Sequence, residues 1–363
     1  MTHRKIRQPE LQSWLPRLLL AAIFLIAFLR AQTSVQAQSA AGQPSKAASS
    51  QAASTKTNSA SARPSGSAAG STNGNAQVKD QNGSYTITTV VNEVNLIFTV
   101  SGKHGDFIRN LTEKDFTLLD NDMPPAAVYS FTQETDLPLR VGLLVDTSSS
   151  IRERFQFEQN AAIEFLLSVL RPRIDKAFVM GFDVTPDITQ GFSNNGYLLS
   201  NGIRQLSPGG GTALYDAVYT ACHNQMLPLL GASPIRKVII LLSDGDDNQS
   251  HATLDDAVKM CQRANTAIYS ISTNDSPSRD RGDDILMAMS EVTGGRAFYP
   301  ARMEDVSKAF QKIQQELRSQ YSLVYKPADF KADGAFRPIY LTTYNRKYKV
   351  RVQKGYFAPR SPQ

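Results

Sequence analysis

Leu139-Arg140-Val141-Gly142-Leu143-Leu144-Val145-Asp146-Thr147-Ser148-Ser149-Ser150 carries an apolar stretch straight into a carboxylate followed by alternating hydroxyls. The apolar half reads as a strand buried on both faces, which is the habit of a parallel sheet covered by helices. The polar half reads as the turn where that strand ends. Asp-x-Ser-x-Ser supplies three hard oxygens, and magnesium takes only a few protein ligands while keeping several waters. Two further pieces lie at the ends of other elements. Gly209-Gly210-Gly211-Thr212 precedes the helical pattern Ala213 to Val218, and Asp244 follows the apolar run Val238-Ile239-Ile240-Leu241-Leu242 and Ser243. In an open α/β sheet ligands collect at the carboxyl ends of the strands, beside a topological switch point, so all three pieces can meet there. Taken alone, Asp146 and its serines serve equally well as caps for the next helix. The three-part constellation favours metal.

Working outward, strand patterns alternate with helical ones. Strands are expected at 140–145, 177–182, 188–192, 237–242, 267–272 and 296–299, and helices at 152–170, 197–205, 254–264, 284–292 and 304–318. Phe155, Ile163, Leu166, Leu167 and Leu170 give the first helix its apolar spacing, and Thr253 caps a later one. Such alternation predicts an α/β fold, a doubly wound and mostly parallel sheet with helices on both faces. Before it stand β-rich segments at 85–91, 94–100, 117–120 and 128–131, with a short element at 111–116. After it come 321–326, 339–344 and 348–353. The early strands alone make a meagre sheet. The two sets are therefore expected to combine into one smaller β subdomain, which the chain leaves and later rejoins.

Asp146-x-Ser148-x-Ser150, then Thr212 in Gly-Gly-Thr-Ala-Leu-Tyr-Asp, then Asp244 in Ser-Asp-Gly, resembles the von Willebrand factor A domain family and its metal-ion-dependent adhesion site. The resemblance covers about 137–319 and implies a Rossmann-like domain. In that family the two serines and the threonine hold the ion directly, and the aspartates do so directly or through water. It implies the same roles for Asp146, Ser148, Ser150, Thr212 and Asp244 here. It implies Mg²⁺, with Mn²⁺ or Ca²⁺ as alternatives, and a protein partner that presents an acidic side chain to the ion. The Leu-Thr-x-x-Asp-Phe element at 111–116, the strand entry at 137–146 and the ending Lys354-Gly355-Tyr356-Phe357-Ala358-Pro359 are similar to a bacterial subgroup of exported A-domain-related proteins known mainly from acidobacteria.

The chain ends set the expected setting. Arg4, Lys5, Arg7 and Arg17, the apolar core Leu18 to Leu29 and Val35-Gln36-Ala37 read as a secretory signal over residues 1–37. The apolar core is too short for the roughly 20 residues of a bilayer span. Cleavage, and no transmembrane span afterwards, is the favoured reading over a retained anchor. Residues 38–81, rich in Ser, Ala, Gly, Gln and Asn, are too polar to bury a core and read as a disordered linker. The expected organisation continues with 82–136 as the first part of the β subdomain, 137–319 as the α/β domain and 320–359 as the strands that complete the β subdomain. An exported protein, periplasmic, surface-bound or secreted, follows. Of the net charge of +6, the signal holds +4, so the basic balance is no argument for nucleic acid.

Several smaller patterns compete for attention. Arg346, Lys347, Lys349, Arg351 and Lys354 among Tyr348, Val350, Val352 and Tyr356 suit either a nucleic-acid surface or a strand edge guarded by charge, and the second is preferred. Cys222 and Cys261 stand either as a bridge or as two separate buried thiols. Asp244 to Asp255 imitates a calcium loop, but Gln249 replaces the turn glycine and Asp255 the bidentate Glu. Arg281-Gly282-Asp283 is read as a chance tripeptide in a loop, and Asp183 as a turn residue at the same sheet edge as Asp146. No His-Glu-x-x-His, Gly-x-Ser-x-Gly or phosphate-loop lysine is present, and His251 reads as a surface histidine. A non-enzymatic, cation-dependent adhesion module is the leading expectation. An envelope assembly factor comes next, and a metal-assisted hydrolase last.

Overall fold

The computed structural model describes residues 76–79, 85–88 and 93–360, apart from 135, 150–154, 231–234, 275 and 277. The expected signal and nearly all of the expected linker lie outside the described residues. Among those described, no helix is long and apolar enough to cross a membrane.

The first strands are β1 (Ala76–Lys79) and β2 (Tyr85–Thr88), an antiparallel pair, then β3 (Val94–Ser101), β4 (Phe116–Asp120) and β5 (Ala127–Glu134). The central domain follows with β6 (Leu139–Asp146), α1 (Phe155–Val169), β7 (Lys176–Phe182), β8 (Pro186–Ser193), α2 (Gly196–Gln205) and α3 (Leu214–Thr220). It continues through β9 (Arg236–Ser243), α4 (Leu254–Arg263), β10 (Thr266–Ser272), α5 (Arg281–Thr293), β11 (Ala297–Phe298) and α6 (Met303–Leu317). The chain ends with β12 (Gln320–Lys326), β13 (Phe336–Thr343), β14 (Lys349–Arg351) and β15 (Gly355–Phe357).

The central sheet runs β11-β10-β9-β6-β7-β8, parallel throughout except for β8, which lies antiparallel to β7. The chain winds from β6 outward to β8, then returns to the other side of β6 and winds outward again. The switch point therefore falls between β6 and β9, and the crevice beyond their carboxyl ends is the expected ligand position. Alternation of side chains along β6 explains why both faces are covered. Leu139, Val141, Leu143 and Val145 join one core with α1 and α6, while Leu144 joins the other with α3 and α4. Gly142 faces that second core with no side chain, because a Cβ there would lie 2.5 Å from the Phe178 ring. Leu167, expected among the apolar positions of α1, is 56% exposed. It covers Gly196 at the start of α2, where a Cβ would meet the leucine's methyl at 2.5 Å.

At the opposite end of β6, buried Asp175 accepts hydrogen bonds from the Leu139 amide at 2.7 Å, the Arg171 amide at 2.8 Å and Arg318 at 2.7 Å. Burial alone would raise its pKa, but these donors together outweigh it and hold the carboxyl below its ordinary value. That carboxylate ties the first strand of the domain to the residue that ends α6.

The flanking strands form two sheets, β14-β3-β12-β5 and β15-β13-β4, that share one apolar core. β12 lies between β3 and β5 and pairs antiparallel with both. Strands from beyond the α/β domain thus combine with strands from before it, in two layers. Phe98, Phe116, Phe131 and Tyr321 pack ring on ring at the centre, with Phe98 and Tyr321 stacked at 5.5 Å. Buried Asp120 accepts from Tyr325 at 2.7 Å and from Tyr356 at 3.0 Å, joining the layers through polar groups as well. β15 is absent from the sequence reading, since Gly355-Tyr356-Phe357 is too short to show a period.

Cys222 and Cys261 are bridged, with Cα atoms 5.0 Å apart. A wide helical turn, Ala221–Met226, extends α3 and brings Cys222 against α4. Closing a loop of 39 residues stabilises the fold by about 4 kcal/mol on the chain-entropy account.

Candidate functional site

β6 ends at Asp146, whose side chain is wholly buried. Its Oδ1 accepts the Ser148 amide at 2.8 Å, so the turn is locked by the residue two places on. Its Oδ2 accepts the Ser243 hydroxyl at 2.7 Å, across the switch point from the end of β9. Ser243 Oγ in turn accepts the Gly245 amide at 3.0 Å. Gly245 has a φ of +88°, a conformation that favours glycine, and this turns the chain sharply after Asp244. Burial pushes the Asp146 pKa up to about 6; hydrogen bonds from Ser148 and Ser243 oppose the rise, and the nearby Asp244 charge adds to it.

Thr212 arrives from the β8 to β9 crossover and is 4% exposed. Backbone hydrogen bonds hold its loop against both neighbours. Gly209 donates to the Thr147 carbonyl at 2.5 Å, Ser149 donates to the Gly210 carbonyl at 3.3 Å, and Ala213 donates to the Asp183 carbonyl at 2.6 Å. On the other side the Thr212 carbonyl accepts the amides of Asn248 at 3.0 Å and Gln249 at 3.1 Å, while its own amide donates to Asn248 Oδ1 at 3.0 Å. The loop is thus laced to the ends of β6 and β7 and to the turn after β9. A Cβ at Gly209 would stand 1.9 Å from an Asp183 carboxylate oxygen, so any larger residue there would have to push that side chain aside.

Four of the five expected ligands, Asp146, Ser148, Thr212 and Asp244, therefore lie on three loops laced together at the switch point. Ser150 lies outside the described residues, as do 152–154, where the sequence reading begins the following helix. Ser148 is 4% exposed, and Asp244 is partly exposed with its Oδ1 accepting the Asp246 amide at 3.1 Å. The donor set is carboxylate and hydroxyl oxygen, which suits a hard divalent cation better than a soft one. Among the described residues no group of three or more His, Cys, Asp or Glu side chains is arranged to hold a metal. A site of two carboxylates and several hydroxyls is not of that kind.

Other carboxylates beside the crevice have structural tasks. Asp247 Oδ2 accepts the Tyr215 amide at 3.0 Å, and Ser250 Oγ accepts the Asp216 amide at 3.0 Å, so the turn after β9 caps α3. Asp216 accepts the amides of His251 at 3.0 Å and Ala252 at 2.8 Å. Asp255 lies on α4 and pairs with Lys259 at 2.5 Å. These engagements dismantle the imitation of a calcium loop. His251 is exposed beside Asp216, and Asp183 binds the Thr185 amide at 3.3 Å as a turn residue. Arg281-Gly282-Asp283 forms the first turn of α5, not the expected loop, and Asp283 is buried. The helix begins three residues before its sequence-based start because Asp280 caps it by accepting the Asp283 amide at 3.0 Å.

Ser243, which ties the ends of β6 and β9 together at the candidate site, was not among the residues singled out from the sequence. Its signal was its place directly before Asp244 at the end of an apolar strand. Asn248 was missed too, and only its placement among alternating acidic and amide residues hinted at a loop-organising role.

A model of the von Willebrand factor type A domain matches residues 141–316. No curated protein matches the chain. Among solved structures, proximal thread matrix protein 1 from the mussel byssus is 17% identical with a TM-score of 0.43, covering 54% of this chain and 50% of that one. The chain thus spans about half the length of that protein. A second structure of it, with zinc occupying its MIDAS motif, gives a TM-score of 0.44 at 17% identity and the same coverage of 54% and 50%. BatB from Bacteroides thetaiotaomicron is 15% identical with a TM-score of 0.41, covering 50% of this chain and 100% of that one.

Proposed function

We propose that this chain, whose residues 141–316 match the von Willebrand factor type A domain, is an exported, non-enzymatic module that binds a protein partner through a divalent cation. The observation that supports this most is the meeting of Asp146, Ser148, Thr212 and Asp244 at the switch point, laced by hydrogen bonds between three separate loops. Asp146 is buried with the Asp244 charge nearby. Burial, with the Asp244 charge adding to it, disfavours the charged form of Asp146, and a cation beside that carboxylate would offset both.

Asp146, Ser148, Ser150, Thr212 and Asp244 are the residues that would hold Mg²⁺, with Mn²⁺ or Ca²⁺ as substitutes. The bonds from Ser148 and Ser243 hold the Asp146 carboxylate in a fixed orientation. The bound ion would supply an electrophilic point for a carboxylate oxygen of the partner. The protein's own part is to keep the oxygens fixed at the carboxyl ends of β6 and β9, which would give a directional, charge-assisted contact.

Calorimetry with Mg²⁺ and Mn²⁺ alone tests the site without knowledge of the partner. Wild type should bind one ion per chain, and Asp146→Ala and Thr212→Ala should each reduce affinity at least tenfold while circular dichroism stays native. Equal affinity in all three proteins would sink the reading. Capture of a partner that persists in EDTA would leave a metal site but remove its adhesive role.

A further inference from the structure

The cations near the C-terminus, which the switch-point site leaves unused, line a cavity of about 770 Å³. It lies between α5 with β11, the edge of the central sheet, and β14, the edge of the four-stranded flanking sheet. Arg346, Lys347, Lys349 and Arg351 form one wall, and Lys103 reaches in from the loop after β3. Arg279 and Arg296 face them, and Glu291 is the one carboxylate in the lining. Seven positively charged side chains thus line a concave space, with one negative charge among them.

These cations are poorly neutralised. Among the described residues no ion pair engages Lys103, Arg346, Lys347 or Lys349. Arg351, 13% exposed, shares buried Glu316 at 3.1 Å. Arg279 rests 3.8 Å above the Tyr299 ring and Arg296 4.8 Å from that of Phe298, so aromatic faces take the place of carboxylates. Burial, and then the Arg351 charge, lower the pKa of Arg296 from the guanidinium range. Lys103, Arg279, Arg346, Lys347 and Lys349 are exposed, as charges that guard a strand edge would be. Arg351 and half-buried Arg296 are not, and these two guanidiniums crowd one another in a partly dry space. Groups that track a nucleic-acid backbone form an outward stripe, whereas these face one another across a hollow of the size that holds a small ligand.

We propose that this cavity binds a small multivalent oxyanion, a ligand carrying at least two phosphate or carboxylate groups. Arginine forks match both head groups in bidentate geometry, and the lysines add point charge. Two head groups are needed to engage both walls at once.

The test is calorimetry on the full chain, in buffer free of divalent ions, with tripolyphosphate, citrate and a short DNA duplex as separate titrants. Tripolyphosphate or citrate should bind, less tightly as salt rises, and the stronger of the two identifies the head group. Arg346→Glu with Lys349→Glu, both at exposed positions, should weaken binding at least tenfold, and Lys103→Glu should do so independently. Arg204→Glu on α2, outside the cavity, should change it less than twofold. No heat from either anion, equal loss in all variants, or binding of the duplex alone would overturn the proposal.

Discussion

Ser243 Oγ donates to Asp146 Oδ2 at 2.7 Å, joining the last residue of β9 to the last residue of β6 across the point where the winding of the chain reverses. The same hydroxyl accepts the Gly245 amide, so one oxygen fixes both the carboxylate and the turn that carries Asp244. Ser243→Ala removes two buried hydrogen bonds and leaves the Gly245 amide unsatisfied. Urea denaturation should show a loss of about 1–3 kcal/mol, with Mg²⁺ affinity falling as well. Unchanged stability would mean that the hydroxyl is not the clamp described here.

Gly209 controls how closely the Thr212 loop approaches Asp183. Gly209→Ala should cost roughly 1–3 kcal/mol through overpacking and should weaken Mg²⁺ binding by displacing Thr212. Combining it with Asp183→Gly should recover most of the lost affinity, because the colliding carboxylate is then gone. A double variant no better than the single one would place the collision elsewhere.

Lys237 is 3% exposed, and its ammonium finds the Met226 carbonyl at 3.4 Å. Burial lowers its pKa from 10.5 to about 8. The unfolded chain therefore binds more protons between these values, and stability should rise with pH from about 8 to about 10.5. The full gain is on the order of 3 kcal/mol at most. Lys237→Met should raise stability at pH 7 and flatten this rise, which chemical denaturation at pH 7, 8.5 and 10 can measure. A slope that survives the substitution would assign the effect to other groups.

Reduction of the Cys222–Cys261 bridge should lower stability by about 2–4 kcal/mol, as should the double Cys→Ala variant. The bridge joins the α3 extension to α4, away from the three loops of the candidate site. Mg²⁺ affinity measured below the melting range should therefore change less than twofold, and a larger drop would tie the bridge to the site.

Much of this was legible because local and global patterns agree. The apolar run of β6, buried on both faces, announced a parallel sheet, and Asp146 marked where that strand ends. The loops bearing Thr212 and Asp244 were predictable because glycine and acidic residues follow strong periodic elements. The lacing between them was not, since Ser243, Asn248 and Gly209 act on partners that are remote in sequence. The start of α5 was misplaced because Asp280 caps it from within a run of polar residues that reads as loop. The bridge stayed open for a similar reason, as spacing alone says nothing of whether two helices bring their sulfurs together. The second flanking layer was hidden because β15 has only three residues and its partner β13 begins nineteen positions earlier.

The seat of β12 between β3 and β5 bears on time as much as on shape. Tyr325 meets Asp120 across 205 positions of sequence, and Ser322 meets Asn95 across 227. A chain delivered amino end first must hold β3 and β5 without their common partner until the whole α/β domain has emerged. Closing contacts so remote is slow, and unpaired strands invite pairing with other chains meanwhile. The central domain can fold during that wait, and once α6 is laid down it brings β12 directly to the gap. Completion of the outer layer thus records that the inner one is already built.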